Sequence, residues 1–260
     1  MRDLFQPGRS TVHAPSGMAA TSHPLSTSTA LKMLQKGGNA MDAAIAAVAV
    51  QCVVEPQSTS IGGDCFCLYS PMGQGVIGYN GSGTAPNAAS VDWYIENGIN
   101  HIEQQTPHSV TIPGAVDAWA QLLADHGTMN LGDLLLPAIE YARKGAPINH
   151  RQSYDWGLCE DLLSGDLTSR EQYLVNGKAP KMGAMVKLPL LAKTLEYIAE
   201  KGRDGFYSSW VAEDIVSHLK GLGGLHTLDD FTSYTGKYVT PIHTNYRGFD
   251  VYECPPNGQG

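Results

Sequence analysis

The stretch GGNAMDAAIAAVAVQCVVEP (residues 37–56) decides the fold. Its glycine pair provides a left-handed stop for a helix over residues 24–36, and Asn39 is a preferred N-cap for a second helix. Asp42 follows in the first turn, where a carboxylate is favoured by the positive end of the helix. Alanine fills five of the eight positions from Ala43 to Val50, which leaves no polar face. Such a helix is expected in the interior of a layered domain.

The sequence around this helix predicts a mixture of hairpins and helices. Extended runs at residues 64–69 and 75–79 flank a turn at 71–73, which indicates a hairpin. A second hairpin is expected from residues 237–244 and 249–253, with its turn at 246–248. Between the hairpins the helix signals cover residues 90–97, 113–126, 131–144, 149–163, 188–201, 207–219 and 227–230. With no repeat and no long linker, residues 1–260 are predicted to form a single α+β domain with a long helical middle section.

Charge and composition exclude several classes of partner. The 17 Lys and Arg residues against 25 Asp and Glu give a net charge of −8, so the surface repels phosphate backbones and anionic lipids. We therefore expect neither a nucleic-acid partner nor a membrane partner. The longest apolar stretch, residues 43–50 continued after Gln51 by residues 52–54, is too short to span a bilayer. Met1–Thr11 has no apolar segment of the secretory type, so a cytoplasmic location is expected.

No metal and no cofactor is predicted. Cys65 and Cys67 stand at i and i+2 on a predicted strand, so both sulfurs face one side. A structural zinc would require two further ligands, and none stands out; buried, reduced thiols are the expectation. The nine histidines have no partner at catalytic or metal spacing, and surface or cap positions are expected for them. Phosphate-loop, zinc-protease and Gly-x-Ser-x-Gly signatures are absent from the sequence.

Two glycine-rich segments at the ends of the first hairpin are candidates for a binding site. They are Gly62-Gly63 and Gly81-Ser82-Gly83-Thr84. Glycines bring backbone amides close to a ligand. On the residues alone, tight turns explain these glycines more simply, and that alternative is favoured.

A series of motifs then runs in order along the chain: residues 37–44, Val54-Glu55-Pro56, Ser60-Ile61-Gly62-Gly63-Asp64 with Phe66, Thr84-Ala85-Pro86, Pro113-Gly114, Gly127-Thr128-Met129 with Pro137-Ala138, Tyr246-Arg247-Gly248 and Pro255-Pro256. Together they closely resemble the opening of the gamma-glutamyltranspeptidase family. The resemblance implies an N-terminal nucleophile hydrolase with an αββα sandwich, made as a proenzyme that cleaves itself into a large and a small subunit.

In that family the nucleophile is the threonine exposed at the N-terminus of the small subunit. The resemblance places that threonine beyond Gly260, so the chain is expected to be most of the large subunit, without a catalytic residue of its own. The loop chemistry of residues 255–260 also suggests a fragment. The implied partners are the small subunit and a small amide or gamma-glutamyl substrate. The αββα sandwich is then expected to be incomplete.

One departure from the family pattern affects specificity. Gamma-glutamyl enzymes place an arginine shortly before the Ala-Pro pair, where its planar group binds the substrate α-carboxylate in a bidentate pair. Alignment on Ala85-Pro86 puts Ser82 at that position. We assign Ser82, Gly83 and Thr84 to substrate binding, and a neutral serine cannot replace the guanidinium. The chain therefore resembles the cytoplasmic amidohydrolases and acylases of the family, such as oxamate amidohydrolase and cephalosporin-acylase-like proteins.

Three functions follow from the resemblance. The first is an amidohydrolase that acts through a threonyl acyl-enzyme and is inactive as the isolated large subunit. The second is a true gamma-glutamyl transferase or glutathione hydrolase. The third is a non-catalytic, truncated paralogue, and an intact processing threonine after Gly260 would support the first function over it.

Overall fold

The computed structural model of the chain describes residues 10–258. The chain divides into two compact units, one of residues up to 60 with 126–196, the other of residues 61–125 with those from 197 onward. Because each unit is built from two separate segments, no single linker marks the division in the sequence. The single domain expected over residues 1–260 stays a prediction, and residues 1–9, on which the expectation of no secretory segment largely rests, lie outside the described part.

The first unit is mainly helical. Its elements are α1 (Pro24–Gln35), α2 (Ala40–Val54), α5 (Leu131–Lys144), β3 (Ala146–Pro147), α6 (His150–Leu158), α7 (Glu160–Ser164), α8 (Leu167–Tyr173), β4 (Met185–Val186) and the first part of α9 (Pro189–Lys201). The short strands β3 and β4 pair antiparallel. The alanine-rich α2 packs against α1 and α5, and Ala46, Ala49 and Val50 are fully buried. The predicted interior helix is therefore confirmed.

The GGNAMD segment folds through a network around Asp42. The Asn39 side chain accepts from the backbone N–H groups of Met41 and Asp42, and the Asp42 carboxylate accepts from the Asn39 N–H at 2.7 Å. The same carboxylate accepts from the backbone N–H groups of Thr128 and Met129 at 2.9 and 3.0 Å, and from the Thr128 hydroxyl at 2.6 Å. Asp42 is fully buried, so it joins α2 to the segment before α5 as well as favouring the helix end.

Burial and hydrogen bonding act in opposite directions on Asp42. Burial by itself raises the pKa of this carboxyl, but the hydrogen bonds from Thr128, Asn39 and Met129 together hold the pKa below its ordinary value of 3.8. Asp42 is therefore ionised in the folded chain at neutral pH.

The second unit contains a three-stranded antiparallel sheet and several helices. Its elements are β1 (Cys65–Tyr69), β2 (Ile77–Gly81), α3 (Val91–Glu96), α4 (Ala115–His126), α10 (Asp204–Tyr207), α11 (Trp210–Gly221), α12 (Leu228–Ser233), β5 (Lys237–Val239), β6 (Ile242–Tyr246) and β7 (Phe249–Glu253). The sheet order is β1-β2-β5, with Cys65 opposite Gly81 and Asn80 opposite Lys237. The first predicted hairpin is thus confirmed as β1–β2.

The second predicted hairpin is only partly right. Residues 237–244 were expected to form one strand, but β5 ends at Val239 and pairs with β2, whereas β6 begins at Ile242 and pairs with β7. Pro241 lies between them, and proline has no N–H to donate to a ladder. The predicted turn is confirmed: Arg247 and Gly248 have φ angles of 54° and 87°, as a two-residue hairpin turn of the primed type requires.

One predicted helix is divided, one begins later than expected, and two short helices were missed. The expected helix at 149–163 is interrupted at Cys159 between α6 and α7. The helix expected at 207–219 begins at Trp210 as α11, with Ser209 as its N-cap. Helices α8 and α10 had no prediction. Among residues 10–258, no helix combines the length and the apolar character that crossing a membrane requires.

Candidate functional site

The predicted binding segment Ser82–Thr84 leaves the sheet directly after β2. The last residue of that strand, Gly81, lies so close to its neighbours that an added Cβ would be 2.7 Å from the Cys65 carbonyl oxygen and 2.8 Å from the Ala118 Cβ. Glycine at 81 therefore lets the end of β2 lie close to both β1 and α4. The side chains that follow are held at the end of the sheet, partly or fully exposed.

Gly83 is fixed even more tightly than Gly81. A Cβ at this residue would stand 1.9 Å from the Ile112 carbonyl oxygen, a backbone atom that cannot swing away. The neighbouring Thr84 is exposed, and its carbonyl accepts from the Ile112 N–H at 2.9 Å. The segment is thus attached to residues 111–112 by its backbone.

Gly83→Ala is expected to reduce the free energy of unfolding by about 3 kcal/mol, because the added methyl group forces the backbone apart. Urea unfolding followed by circular dichroism measures the change. Gly75→Ala is the matched control in the same unit, since a Cβ there meets nothing within 4 Å. Equal stability of the two variants would contradict the close packing of Gly83.

Asp64 faces Ser82 and Gly83 across the start of β1. Its Oδ2 accepts from the Ser82 hydroxyl at 3.2 Å, and its Oδ1 accepts from the Gly83 N–H at 3.0 Å. Asp64 is itself exposed. The Asp64 carboxylate therefore accepts from both the Ser82 hydroxyl and the Gly83 N–H.

The loop after β7 completes this arrangement. Asn257 donates through Nδ2 to the Ser82 hydroxyl at 2.7 Å, and its Oδ1 accepts from the Asn80 side chain at 3.1 Å. Asn80 also accepts from the Ser82 backbone N–H at 2.9 Å. On the other side, the Tyr234 hydroxyl donates to the Ser82 carbonyl at 3.1 Å. Every polar atom of Ser82 thus has a protein partner.

Behind Tyr234 lies a buried polar cluster centred on Asp117. The Asp117 carboxylate accepts from Arg203, from the Gly236 N–H at 2.8 Å and from the Tyr79 hydroxyl at 3.5 Å. Arg203 also donates to the Tyr234 carbonyl. This cluster holds the chain near Tyr234 in place, and through it the hydroxyl that contacts Ser82.

The tyrosines of this cluster are structural rather than acid–base groups. Tyr207 donates to the Pro113 carbonyl at 2.7 Å and accepts from the Asp117 N–H at 3.1 Å. Burial is the largest cause that raises the pKa of Tyr79, Tyr207 and Tyr234 far above the ordinary value. They remain protonated at neutral pH and serve as hydrogen-bond donors.

The cysteines and histidines set aside in the sequence form no metal site within residues 10–258, where no group of three or more His, Cys, Asp or Glu could hold an ion. Cys65 and Cys67 are partly buried thiols. Burial, and after it the neighbouring Cys67, raises the pKa of Cys65 to about 12.

Two histidines show where these residues lie in the fold. His23 caps α1, one of the positions expected for the histidines. His226 is buried, with Nε2 2.9 Å from the Val110 carbonyl oxygen, so the surface or cap position expected for it is wrong.

Sequence reasoning identified Ser82, Gly83 and Thr84 but missed their partners. Asp64 belongs to the motif at residues 60–64, but no role was predicted for it. Its position directly before β1 could have indicated the contact, because the partner strand β2 ends next to Ser82. Asn257 lies 175 residues from Ser82, and a contact at that separation has no local signal in one sequence. The assignment of Ser82–Thr84 to substrate binding stays a prediction.

Comparison with known proteins gives the family. The family model described as gamma-glutamyltranspeptidase matches residues 26–260. The chain belongs to the gamma-glutamyltranspeptidase family. Within it, the glutathione hydrolase-like YwrD proenzyme of Bacillus subtilis is 38% identical over 245 residues, which are 94% of this chain and 46% of that protein. The chain thus spans about half the length of the curated relatives that it matches.

Solved structures agree with this placement. The gamma-glutamyltranspeptidase of Helicobacter pylori superposes with a TM-score of 0.89 at 29% identity, covering 95% of this chain and 72% of that one. The cephalosporin acylase of Bacillus halodurans gives a TM-score of 0.86 at 33% identity, covering 98% of this chain and 50% of that one. The predicted α+β fold of the N-terminal nucleophile hydrolase class is confirmed by these relatives.

Proposed function

We propose that this chain is the large-subunit part of a threonine amidohydrolase of the family, and that it is inactive without a small subunit. The observation that supports this most directly is the similarity to relatives named proenzymes, of which the chain spans about half. The family match over residues 26–260 agrees with it. The site around Ser82 supplies hydrogen bonds and no activated nucleophile. The chemistry must then come from the partner subunit.

In the proposed reaction, the hydroxyl oxygen of the small-subunit threonine bonds to the carbonyl carbon of the substrate amide. Its proton passes to the α-amino group of the same threonine and then to the leaving nitrogen as the C–N bond breaks. Water attacks the resulting ester, releases the acid and restores the threonine. The Ser82–Thr84 segment would bind the acyl part of the substrate.

The exposed apolar side chains of β6–β7 support a protein partner. Phe249 is 76% exposed, and three further large apolar residues of this hairpin are more than half exposed: Ile242, Tyr246 and Val251. A two-stranded hairpin is marginally stable without further packing. We propose that the small subunit covers this hairpin in the processed enzyme.

The direct experiment compares the chain alone with the chain expressed together with its downstream coding sequence. We expect two bands on a denaturing gel for the longer product, and hydrolysis of a neutral acyl anilide by that product only. Turnover by the 260-residue chain alone, abolished by a substitution within it, would contradict the proposal. A single unprocessed band without activity would favour the non-catalytic paralogue.

The second candidate is a true gamma-glutamyl transferase or glutathione hydrolase. The close structural similarity to the gamma-glutamyltranspeptidase of Helicobacter pylori favours it. Against it stands Ser82, a neutral residue at the aligned arginine position, with no Lys or Arg between residues 41 and 141. A buried carboxylate without a charged partner loses on the order of 30-fold or more in turnover efficiency. We therefore place the amidohydrolase first.

A further inference from the structure

The geometry points to Asp64 as a specificity-determining residue that excludes acyl groups bearing a carboxylate from the Ser82–Gly83 segment and favours cationic ones. This inference rests on the proposed function and adds a determinant to it. Serine at position 82 lacks the positive charge with which the family's arginine attracts a carboxylate. Asp64 adds a negative charge in the same place, which repels a carboxylate.

The first step concerns hydrogen-bond donors. A substrate carboxylate at this segment would need the Ser82 hydroxyl or the Gly83 N–H, and Asp64 already accepts from both, at 3.2 and 3.0 Å. The Asp64 carboxylate thus occupies the position that an anionic ligand would take. Binding such a ligand would require Asp64 to leave both donors.

The second step concerns the remaining polar groups. Asn257 donates to the Ser82 hydroxyl and accepts from Asn80, so Ser82 cannot rotate toward a ligand without losing a second partner. The Ser82 N–H is also used, by Asn80. The donors of Ser82 and Gly83 are therefore committed, whereas the Asp64 carboxylate is exposed and can accept more bonds. A ligand group that donates, such as an ammonium or an amide, fits this arrangement.

The third step concerns the nearby cations of the same unit. Arg203 is bound to Asp117 and to the Tyr234 carbonyl, so its charge is already partnered. Lys237 stands opposite Asn80 in the sheet and is exposed. Its charge could weaken the exclusion, so its substitution belongs in the test.

The test uses four acyl p-nitroanilides that differ only in charged groups: butyryl, 4-aminobutyryl, glutaryl and gamma-glutamyl. With the processed two-subunit enzyme we expect the highest kcat/KM for 4-aminobutyryl and the lowest for glutaryl. Asp64→Asn removes the charge and keeps the shape. It should raise the ratio of glutaryl to 4-aminobutyryl turnover by about tenfold, since two unit charges near a protein surface interact at this scale.

Three controls separate charge from structure. Asp92→Asn removes an equal charge from exposed α3 and should leave the ratio unchanged, whereas Asp64→Glu should keep the discrimination. Added salt should reduce the discrimination of the unaltered enzyme, because exposed charges are screened. A substitution that only loosened the loop would slow all four substrates together and would not respond to salt in this way.

Arginine at 82 tests the same idea from the other side. Ser82→Arg would bring a guanidinium beside Asp64, which would pair with it. We expect little gain in gamma-glutamyl turnover from that change alone, and a larger gain when Asp64→Asn accompanies it. Additive effects of the two changes would contradict the inference, because residues in contact are expected to be coupled.

A binding measurement keeps the inference separate from the proposed function. Thermal shifts of the 260-residue chain with 4-aminobutyramide and with glutaramate compare a cationic and an anionic ligand of similar size. The cationic one should stabilise the chain more, and Asp64→Asn should remove the difference. Absence of turnover with all four anilides would contradict the proposed function alone. Equal thermal shifts, or turnover that favours glutaryl and falls with Lys237→Met, would overturn the role of Asp64.

Discussion

Asp117→Ala is expected to lower the free energy of unfolding by about 3–5 kcal/mol, the range for removing one partner of a buried ion pair. Asp117 is buried and accepts from Arg203, Gly236 and Tyr79. Its removal leaves the Arg203 guanidinium and a backbone N–H without their acceptor. Equilibrium urea unfolding of the chain, followed by circular dichroism, measures the loss.

The matched control uses the same arginine. Asp204 lies 4.0 Å from Arg203, with its side chain 79% exposed, and exposed pairs contribute about 0–1 kcal/mol. Asp204→Ala should therefore have a small effect. A similar loss in both variants would mean that the Asp117 cluster does not stabilise the second unit in the way we describe.

Asp42→Asn should lower the free energy of unfolding by about 2–3 kcal/mol at neutral pH. The carboxylate accepts from three backbone N–H groups and from the Thr128 hydroxyl, and an asparagine presents its own donors to part of that set. Asp133→Asn is the control, since Asp133 holds the third helical position of α5 but is exposed. A loss no larger than that of the control would contradict the account.

The effect of Asp42 should depend on pH in a defined direction. The pKa of Asp42 is lowered in the folded chain relative to 3.8, so the folded state favours the ionised form. Its contribution is then fully present above about pH 4 and is lost as the pH falls through the lowered folded value. Unfolding curves of the unaltered chain and Asp42→Asn should converge at acid pH. A difference that stays constant down to pH 2 would show that charge is not the cause.

Much of the fold could be predicted because its signals are local. The Gly-Gly stop, the Asn39 cap and the unbroken apolar face of α2 are each encoded within a few residues, and the first hairpin has alternation around a turn. The divisions at Cys159 and at Pro241 were missed. In the second case the strand pattern continues through Pro241, but the pairing changes there. Strand β5 pairs with β2, which lies far away in sequence, whereas β6 pairs with the adjacent β7.

The candidate site was predictable only in part. Glycines and the aligned position of Ser82 identified the loop, but the residues that determine its chemistry come from elsewhere. Asp64 contributes from the start of β1, Asn257 from the loop after β7 and Tyr234 from the end of α12. These contacts depend on packing of distant segments, which periodicity and turn signals do not encode.

The location of the covalent acyl intermediate tests the proposed function most directly. The processed enzyme would be mixed with a neutral acyl anilide, quenched within one turnover and digested for mass spectrometry. The account predicts the acyl mass on the N-terminal threonine of the small subunit and none on residues 1–260. An acyl group on a side chain of this chain, or product formation by the chain alone, would contradict it.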